Sequence, residues 1–222
     1  MEHFYDKLLG SVPDKPILIG RDKHVKSAVF VPFIIIDGIE YLLLEKRALC
    51  IRQGGEICFP GGMIDLENNE APKTTALRET VEELGITEDK IEIENHFGYL
   101  VANMGATLDV FIGKIKIESF SQINPNKKEV EAIHPVPFSF FVKTKPDSYL
   151  LETEIKSMYY NESGEKKVLF PAKELGLPEK YHVSWPIRKT TVYVYNYEGI
   201  VIWGLTAEII REITIFLEKG VK

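Results

Sequence analysis

The sequence predicts an α/β (α+β) fold, in which β-hairpins build a sheet and helices cover it. A tight-turn signal, Asp37-Gly38, separates two strand-like segments, which is typical of a hairpin. Residues 33–36 and 42–44 are continuously apolar, as in strands that are covered on both faces. Between later strands, Pro72 in a first turn and Gly85 at a C-cap predict a helix from about Pro72 to Leu84.

The remaining elements follow from the same patterns. Residues 1–11 predict a short amphipathic helix that packs through Phe4, Leu8 and Leu9. Strands or hairpins are predicted at residues 25–37 and 39–45, 90–102 and 108–117, 129–137, 149–160 and 166–170, and 190–195 and 200–203. A final amphipathic helix is predicted at residues 204–220, with five apolar side chains facing inward: Ile209, Ile210, Ile213, Phe216 and Leu217.

Length and composition are those of an ordinary globular protein, with 222 residues, 45% of them hydrophobic and 27% charged. We expect a single domain over residues 1–222, with an N-terminal extension at 1–24 and an insertion or hairpin region at 145–185. The formal charge of −6 argues against nucleic-acid and anionic-membrane partners, which require a positive surface. We find no signal-peptide pattern and no apolar stretch of about 18 residues. With only two cysteines, a cytoplasmic location is expected.

Three carboxylates lie close together near the end of the predicted helix. Glu79 and Glu83 are one turn apart on one face, and Glu82 lies beside them. Like charges at these spacings cost roughly 0.2–0.5 kcal/mol per pair, and acids in a last turn oppose the helix dipole. Arg78 can pair with Glu82, but a divalent cation would compensate more of the charge. Oxygen ligands alone favour Mg²⁺ or Mn²⁺ over Zn²⁺, whereas a solvated acidic face is the simpler alternative.

The segment before the helix combines glycines with cations. Gly54, Gly55, Gly61 and Gly62 permit close approach of the backbone to a ligand. Lys46, Arg47 and Arg52 precede them, and the arginine fork matches phosphate oxygens. Phosphate contact and a merely solvated basic surface are both open interpretations of these residues.

The acidic helix resembles the Nudix box, whose pattern is Gly, five residues, Glu, seven residues, then Arg-Glu-aliphatic-x-Glu-Glu-x-Gly-aliphatic. The matching positions are Glu70, Arg78, Glu79, Glu82, Glu83, Gly85 and Ile86. Thr80 occupies an aliphatic position, and seven residues instead of five separate Gly62 from Glu70, so either Glu67 or Glu70 can be the first acid of the box. The resemblance implies a Nudix-type α/β/α sandwich with a mixed, mostly antiparallel sheet.

The preceding segment resembles the signature of the coenzyme A pyrophosphatase group, in which Leu-Leu-Thr-x-Arg-Ser is followed by a second Arg and Gly-x-Val-x-Phe-Pro-Gly-Gly. Leu43-Leu44, Arg47, Arg52 and residues 55–62 match it. Glu45 replaces the Thr, Ala48 replaces the Ser, and the gap between Arg52 and Gly55 is one residue short. Residues 203–207 also resemble the closing segment of that group.

Together these resemblances imply hydrolysis of a pyrophosphate bond that depends on one to three Mg²⁺ or Mn²⁺ ions. They make Glu79 and Glu83 the main metal ligands and Glu82 the third, with a backbone carbonyl near Gly62 as a further ligand. Arg78 would orient Glu82, and the general base is Glu82, Glu79 or an acid outside the box. The expected substrate-binding residues are Arg47, Arg52, Gly61 and Gly62.

The preferred small-molecule substrate is coenzyme A or an acyl derivative, cleaved to 3′,5′-ADP and 4′-phosphopantetheine. Two alternatives are open: another Nudix substrate, such as ADP-ribose or an oxidised nucleoside triphosphate, and a non-catalytic module that senses nucleotides. Since related proteins often form dimers, a homodimer is also an open alternative.

Overall fold

The computed structural model describes residues 3–13, 17–102 and 105–220. The chain forms two compact units, Met1–Phe138 and Ser139–Lys222. The single domain, its N-terminal extension and its insertion stay predictions.

The first unit contains a seven-stranded sheet. Its strands are β1 (Val25–Ile36), β2 (Ile39–Arg47), β3 (Ile57–Cys58), β4 (Gly61–Met63), β5 (Ile91–Ala102), β6 (Ala106–Ile115) and β7 (Val130–Pro137). The order is β3-β2-β1-β6-β5, and β4 pairs with β1 while β7 pairs with β2. Only the pairing of β1 with β6 is parallel among those described in this sheet. The α+β class and the mixed, mostly antiparallel sheet are therefore confirmed.

The hairpin of β1 and β2 forms at the predicted turn. Asp37 and Gly38 both have positive φ, 51° and 76°, which is the conformation of a two-residue type I′ connection. The strands on either side pair from Ile36 and Ile39 onward. Part of the predicted connection between β5 and β6, Asn103 and Met104, lies outside the described residues.

The predicted acidic helix is α2 (Pro72–Leu84), and it lies against β1 and β4. Pro72 occupies its first turn, and Gly85 ends it in a left-handed conformation with φ 61°. Ala76 and Leu84 pack into the core of the sheet with Phe30, Leu43 and Phe111. Thr80, at the aliphatic position of the box, is fully buried and donates its hydroxyl hydrogen to the Ala76 carbonyl oxygen at 2.6 Å. The helix that carries the acids is thus firmly positioned on the sheet.

The second unit contains two further sheets and a long helix. Its elements, with the short helix that follows β7, are α3 (Phe138–Lys143), β8 (Asp147–Ile155), β9 (Met158–Tyr160), β10 (Lys166–Val168), β11 (Trp185–Tyr197), β12 (Ile200–Trp203) and α4 (Gly204–Gly220). Strands β9 and β10 form one hairpin, and β12, β11 and β8 form a three-stranded antiparallel sheet. The predicted hairpin at residues 190–203 is confirmed. The predicted hairpin at residues 149–170 is confirmed only for Met158–Tyr160 and Lys166–Val168, because residues 149–155 belong to a separate strand that pairs with β11.

Two predictions about helix packing are wrong in part. In α4, Ile209, Ile210 and Ile213 are buried as predicted, whereas Phe216 is 68% and Leu217 is 45% exposed. The buried residues of α4 end at Thr214, whereas its apolar stripe continues to Leu217. The N-terminal helix α1 (Phe4–Ser11) does form, but it buries no residue, so the predicted packing through Phe4, Leu8 and Leu9 is wrong.

Four short 3₁₀ helices complete the described elements, at Arg21–Lys23, Glu88–Lys90, Phe120–Gln122 and Glu179–Tyr181. Within residues 3–13, 17–102 and 105–220, no helix is both long and apolar enough to cross a membrane.

Candidate active site

Glu83 lies at the buried end of α2, beneath the turn that joins β3 to β4. Its side chain is buried, and its Oε2 accepts a hydrogen bond from the Gly61 backbone N–H at 2.9 Å. Burial first, and the neighbouring charge of Glu45 second, raise the pKa of the Glu83 carboxyl to about 9. A buried carboxyl in this state requires either a proton or a cation.

Glu79 lies against the next glycine of the same turn. A Cβ on Gly62 would be only 2.3 Å from Glu79 Oε1, so the side chain of Glu79 occupies the space that a larger residue would fill. Burial raises the pKa of Glu79, and Arg78 opposes this shift. The Gly61-Gly62 pair therefore brings both predicted main ligands, Glu79 and Glu83, to one short backbone segment.

Arg78 connects three acids of the box. Its guanidinium lies 2.9 Å from Glu70 Oε1, 2.9 Å from Glu79 Oε1 and 3.1 Å from Glu82 Oε2. The predicted pairing of Arg78 with Glu82 is thus present, as one contact of a larger network. Glu82 is the most exposed of the three predicted ligands, with 52% of its side chain accessible. Through these ion pairs, Arg78 fixes the side-chain orientations of Glu70, Glu79 and Glu82.

The structure distinguishes the two candidates for the first acid of the box. Glu70 receives two hydrogen bonds from Arg78, at 2.9 and 3.2 Å, and one from the Thr75 hydroxyl at 2.7 Å. These contacts, led by those of Arg78, lower the pKa of Glu70 to about 2. Glu67 is exposed on the loop. These contacts lead us to propose Glu70 as the first acid of the box.

We expect Glu70→Gln to lower the free energy of unfolding at pH 7 by about 2 kcal/mol. The folded pKa of about 2 lies below the ordinary value of 4.5, so the stabilisation is complete above 4.5 and is lost as the pH falls towards 2. Urea unfolding from pH 7 down to pH 2 should show the difference between variant and wild type closing in that window. Glu67→Gln is the matched control, and an equal loss in both variants would contradict the assignment.

Two acids outside the box also reach this region, and sequence reasoning missed their roles. Glu45 in β2 is 0% exposed, and burial raises the pKa of its carboxyl to about 7. Glu129, just before β7, accepts a hydrogen bond from the Asn126 amide at 3.1 Å, and its charge acts on both Glu45 and Glu79. Neither acid has a spacing that marks it in the sequence, although Glu129 belongs to the glutamate-rich segment before Val136-Pro137.

The donor set fits a hard divalent cation in its chemistry. Glu79, Glu82 and Glu83 offer carboxylate oxygens, and a buried oxygen of Glu45 has no hydrogen-bond partner in the described structure. No three His, Cys, Asp or Glu side chains of the described residues form a ready-made cluster for a metal ion. The acids meet at Gly61-Gly62 but are turned partly towards Arg78, so binding a cation would require rotation of these side chains.

The predicted phosphate-binding cations differ in their positions. Arg47 donates from Nε to the Arg52 carbonyl oxygen at 3.1 Å, and its charge lowers the pKa of Glu45 and Glu83. Arg47 is therefore close to the acids, whereas Arg52 is exposed on the following loop. Lys46 pairs with Glu131 at 2.8 Å. Of the three cations, Arg47 is the one that the fold brings to the acidic site.

Comparison with known proteins identifies the family. The family model described as the NUDIX domain matches residues 26–182. The match covers most of the chain and includes the helix, its acids and both glycines, so the chain belongs to the Nudix family. It is a hydrolase of the class that acts on phosphorus-containing anhydrides.

Several curated proteins are similar to the chain. Nudix hydrolase 3 of Caenorhabditis elegans is 26% identical over 97% of this chain and 84% of its own length. The mouse peroxisomal coenzyme A diphosphatase NUDT7 is 32% identical over 55% of this chain and 52% of its own length. Among solved structures, a Nudix hydrolase from M. smegmatis has a TM-score of 0.42 and 20% identity, and the alignment covers 53% of this chain and 73% of that chain.

Proposed function

We propose that the chain is a Mg²⁺- or Mn²⁺-dependent pyrophosphohydrolase that cleaves coenzyme A or an acyl derivative. The observation that carries the hydrolytic part is the meeting of Glu79 and Glu83 at Gly61-Gly62, with Arg47 beside the acids. This arrangement combines anionic ligands for a metal with a guanidinium for a phosphate, which is the pairing that a negatively charged substrate requires.

Each residue of the site has a role in this proposal. Glu79 and Glu83 would hold the cation with Glu82, and Arg78 keeps Glu79 and Glu82 in place through its ion pairs. A divalent cation, when bound, supplies charge screening of the pyrophosphate and lowers the pKa of the attacking water. Arg47 would bind a phosphate oxygen. A carboxylate, Glu82 in our preferred assignment or else Glu79 or Glu129, takes a proton from the water.

The coenzyme A part of the proposal has separate support. Residues 43–62 resemble the coenzyme A pyrophosphatase signature, and the mouse coenzyme A diphosphatase is among the similar proteins. Water would add across the phosphoanhydride, giving 3′,5′-ADP and 4′-phosphopantetheine. The replacements at Glu45 and Ala48 favour the alternative of another nucleoside diphosphate derivative, such as ADP-ribose, or of an oxidised nucleoside triphosphate.

A substrate panel tests the proposal. Coenzyme A, acetyl-coenzyme A, ADP-ribose and an oxidised nucleoside triphosphate would be incubated with the full chain at fixed Mg²⁺, and products separated by chromatography. We expect 3′,5′-ADP from the two coenzyme A substrates at the highest kcat/KM. Rapid cleavage of ADP-ribose beside unchanged coenzyme A would make ADP-ribose the substrate in place of coenzyme A. Nucleotide binding without any cleavage would favour the sensing module.

We expect Arg47→Ala to raise KM for coenzyme A by about tenfold or more, since a charge-assisted contact with phosphate is worth roughly 1.5–3 kcal/mol. Lys46→Ala is the matched control, because Lys46 adjoins Arg47 in the same strand but pairs with Glu131. Steady-state kinetics of both variants measure the difference. Equal KM values for Arg47→Ala and wild type would remove Arg47 from the substrate site.

A further inference from the structure

Glu45 occupies a position that the fold otherwise reserves for apolar side chains. It follows Leu42, Leu43 and Leu44 in β2, and all four residues are fully buried. Its strand is paired on both sides, with Cys58 of β3 and Ile133 of β7 opposite Glu45. The backbone therefore cannot turn the side chain out to solvent. An uncompensated carboxylate at such a position is strongly unfavourable, so its presence requires a compensating group.

The hydrogen bonds of Glu45 do not supply this compensation. Among the residues that the structure describes, its Oε1 accepts only from the Cys58 thiol, a weak donor, at 3.6 Å. Its Oε2 is buried without a partner in the described part of the chain. Buried polar groups are usually hydrogen-bonded, and even the half-buried carboxylate of Glu70 accepts hydrogen bonds on both oxygens. One oxygen of Glu45 is thus available to a ligand.

The neighbours of Glu45 indicate the charge of that ligand. Cys58, which contacts Glu45, is three residues from Gly61, whose N–H binds Glu83. The charge of Glu45 is the strongest that acts on Glu83, and the charges of Glu79 and Glu129 also act on Glu45. The charge of Arg47 acts on both buried acids, Glu45 and Glu83, and Arg78 pairs with Glu79. These two guanidinium groups do not balance the surrounding carboxylates, because Arg78 is shared with Glu70 and Glu82. Protons or a cation can compensate these acids, and a cation can be shared between two of them.

We propose that Glu45 is an additional ligand for the divalent cation, provided by the sheet opposite the helix acids and binding together with Glu83. This inference rests on the proposed metal-dependent function. The cation belongs to the hard class, Mg²⁺ or Mn²⁺, because the available donor atoms are carboxylate oxygens. The coenzyme A pyrophosphatase signature has Thr at the position of Glu45, so this additional ligand would distinguish the chain from the signature.

Calorimetric titration of the full chain with Mn²⁺ tests the inference without any substrate. We expect Glu45→Gln, which keeps the size of the side chain, to weaken Mn²⁺ binding by about tenfold or more. Glu45→Thr, which introduces the residue of the signature, should weaken Mn²⁺ binding at least as much. Glu131→Gln is the matched control, because Glu131 is an exposed acid of the neighbouring strand β7, and it should bind Mn²⁺ as wild type does.

Thermal unfolding gives a second measurement with a characteristic sign. Without metal, Glu45→Gln should melt at a higher temperature than wild type, because one buried carboxylate is removed. On addition of Mn²⁺, the rise in melting temperature should be smaller in Glu45→Gln than in wild type. A purely structural Glu45 would instead give a lower melting temperature without metal and an undiminished response to Mn²⁺.

The outcomes separate this inference from the proposed function. If Glu83→Gln loses Mn²⁺ binding while Glu45→Gln binds as wild type does, the inference is overturned and the metal-dependent function stands. If wild type itself binds no Mn²⁺ or Mg²⁺, both are overturned. Weakened binding in Glu45→Gln, with unchanged binding in Glu131→Gln, supports the inference whichever substrate the chain hydrolyses.

Discussion

Glu83→Gln is expected to lower kcat by about a thousandfold, which is within the range typical of lost metal or acid–base catalysis. Glu83 is the most buried of the three predicted metal ligands, and it is fixed by the Gly61 N–H at 2.9 Å. A glutamine can keep that hydrogen bond through its amide oxygen, but it cannot offer an anionic oxygen to a cation. The loss should therefore fall on turnover and metal binding, not on the fold.

Two controls make the result interpretable. Thermal melting of Glu83→Gln should occur at or above the wild-type temperature, since the variant removes a buried carboxylate that burial disfavours. Glu67→Gln, which changes an exposed acid of the preceding loop, should keep wild-type kcat. If Glu83→Gln retained more than a tenth of the wild-type kcat, Glu83 would be removed from the ligands.

Gly61→Ala is expected to lower the free energy of unfolding by about 3 kcal/mol or more. A Cβ at Gly61 would lie 2.3 Å from the Ala28 carbonyl oxygen and 2.8 Å from Val29 Cα. These are backbone atoms of β1, which is held between β4 and β6, so they cannot move aside without breaking the sheet. The φ of Gly61, 153°, is also one that side chains rarely adopt. Urea unfolding measures the loss.

Gly62→Ala provides the matched comparison at the next position. Its Cβ would meet the carboxylate of Glu79 at 2.3 Å, which is the end of a flexible side chain and not backbone. We expect this variant to stay within about 1 kcal/mol of wild type in stability while losing tenfold or more in kcat, because Glu79 is displaced. A stable and fully active Gly62→Ala would contradict the position of Glu79, and a stable Gly61→Ala would contradict the turn.

The spacing of the box residues predicted the helix well because local rules govern it. Pro72 and Gly85 set its ends, and the register of Glu79 and Glu83 follows from the helical repeat. Their position against Gly61-Gly62 depends on the pairing of β4 with β1, which local rules do not predict. Only the resemblance, which makes a carbonyl near Gly62 a further ligand, indicated it. The sequence leaves Glu67 and Glu70 equally open, and the contacts of Arg78, which depend on the fold, favour Glu70.

Residues that act through tertiary contacts were harder to predict. Glu45 lies in an apolar strand, and no periodicity in the sequence relates it to a helix 34 residues further along at Glu79. The exposure of Phe216 and Leu217 shows the converse limit, because an apolar stripe indicates a face of a helix but not how much of that face is buried. The substrate-binding cations are hard to predict for the same reason. Arg47 and Arg52 are close in sequence, but only the fold shows that Arg47 is near the acids and that Arg52 is exposed.

Hydrolysis of coenzyme A in ¹⁸O-labelled water, with Mg²⁺ and then with a chelator, tests the central claim most directly. With Mg²⁺, wild type should release 3′,5′-ADP and 4′-phosphopantetheine in equal amounts, with one labelled oxygen in one of the two products. The chelator and Glu83→Gln should each abolish this release. Cleavage that continued undiminished in the chelator, or in Glu83→Gln, would contradict a reaction that depends on a cation held by the acids of α2.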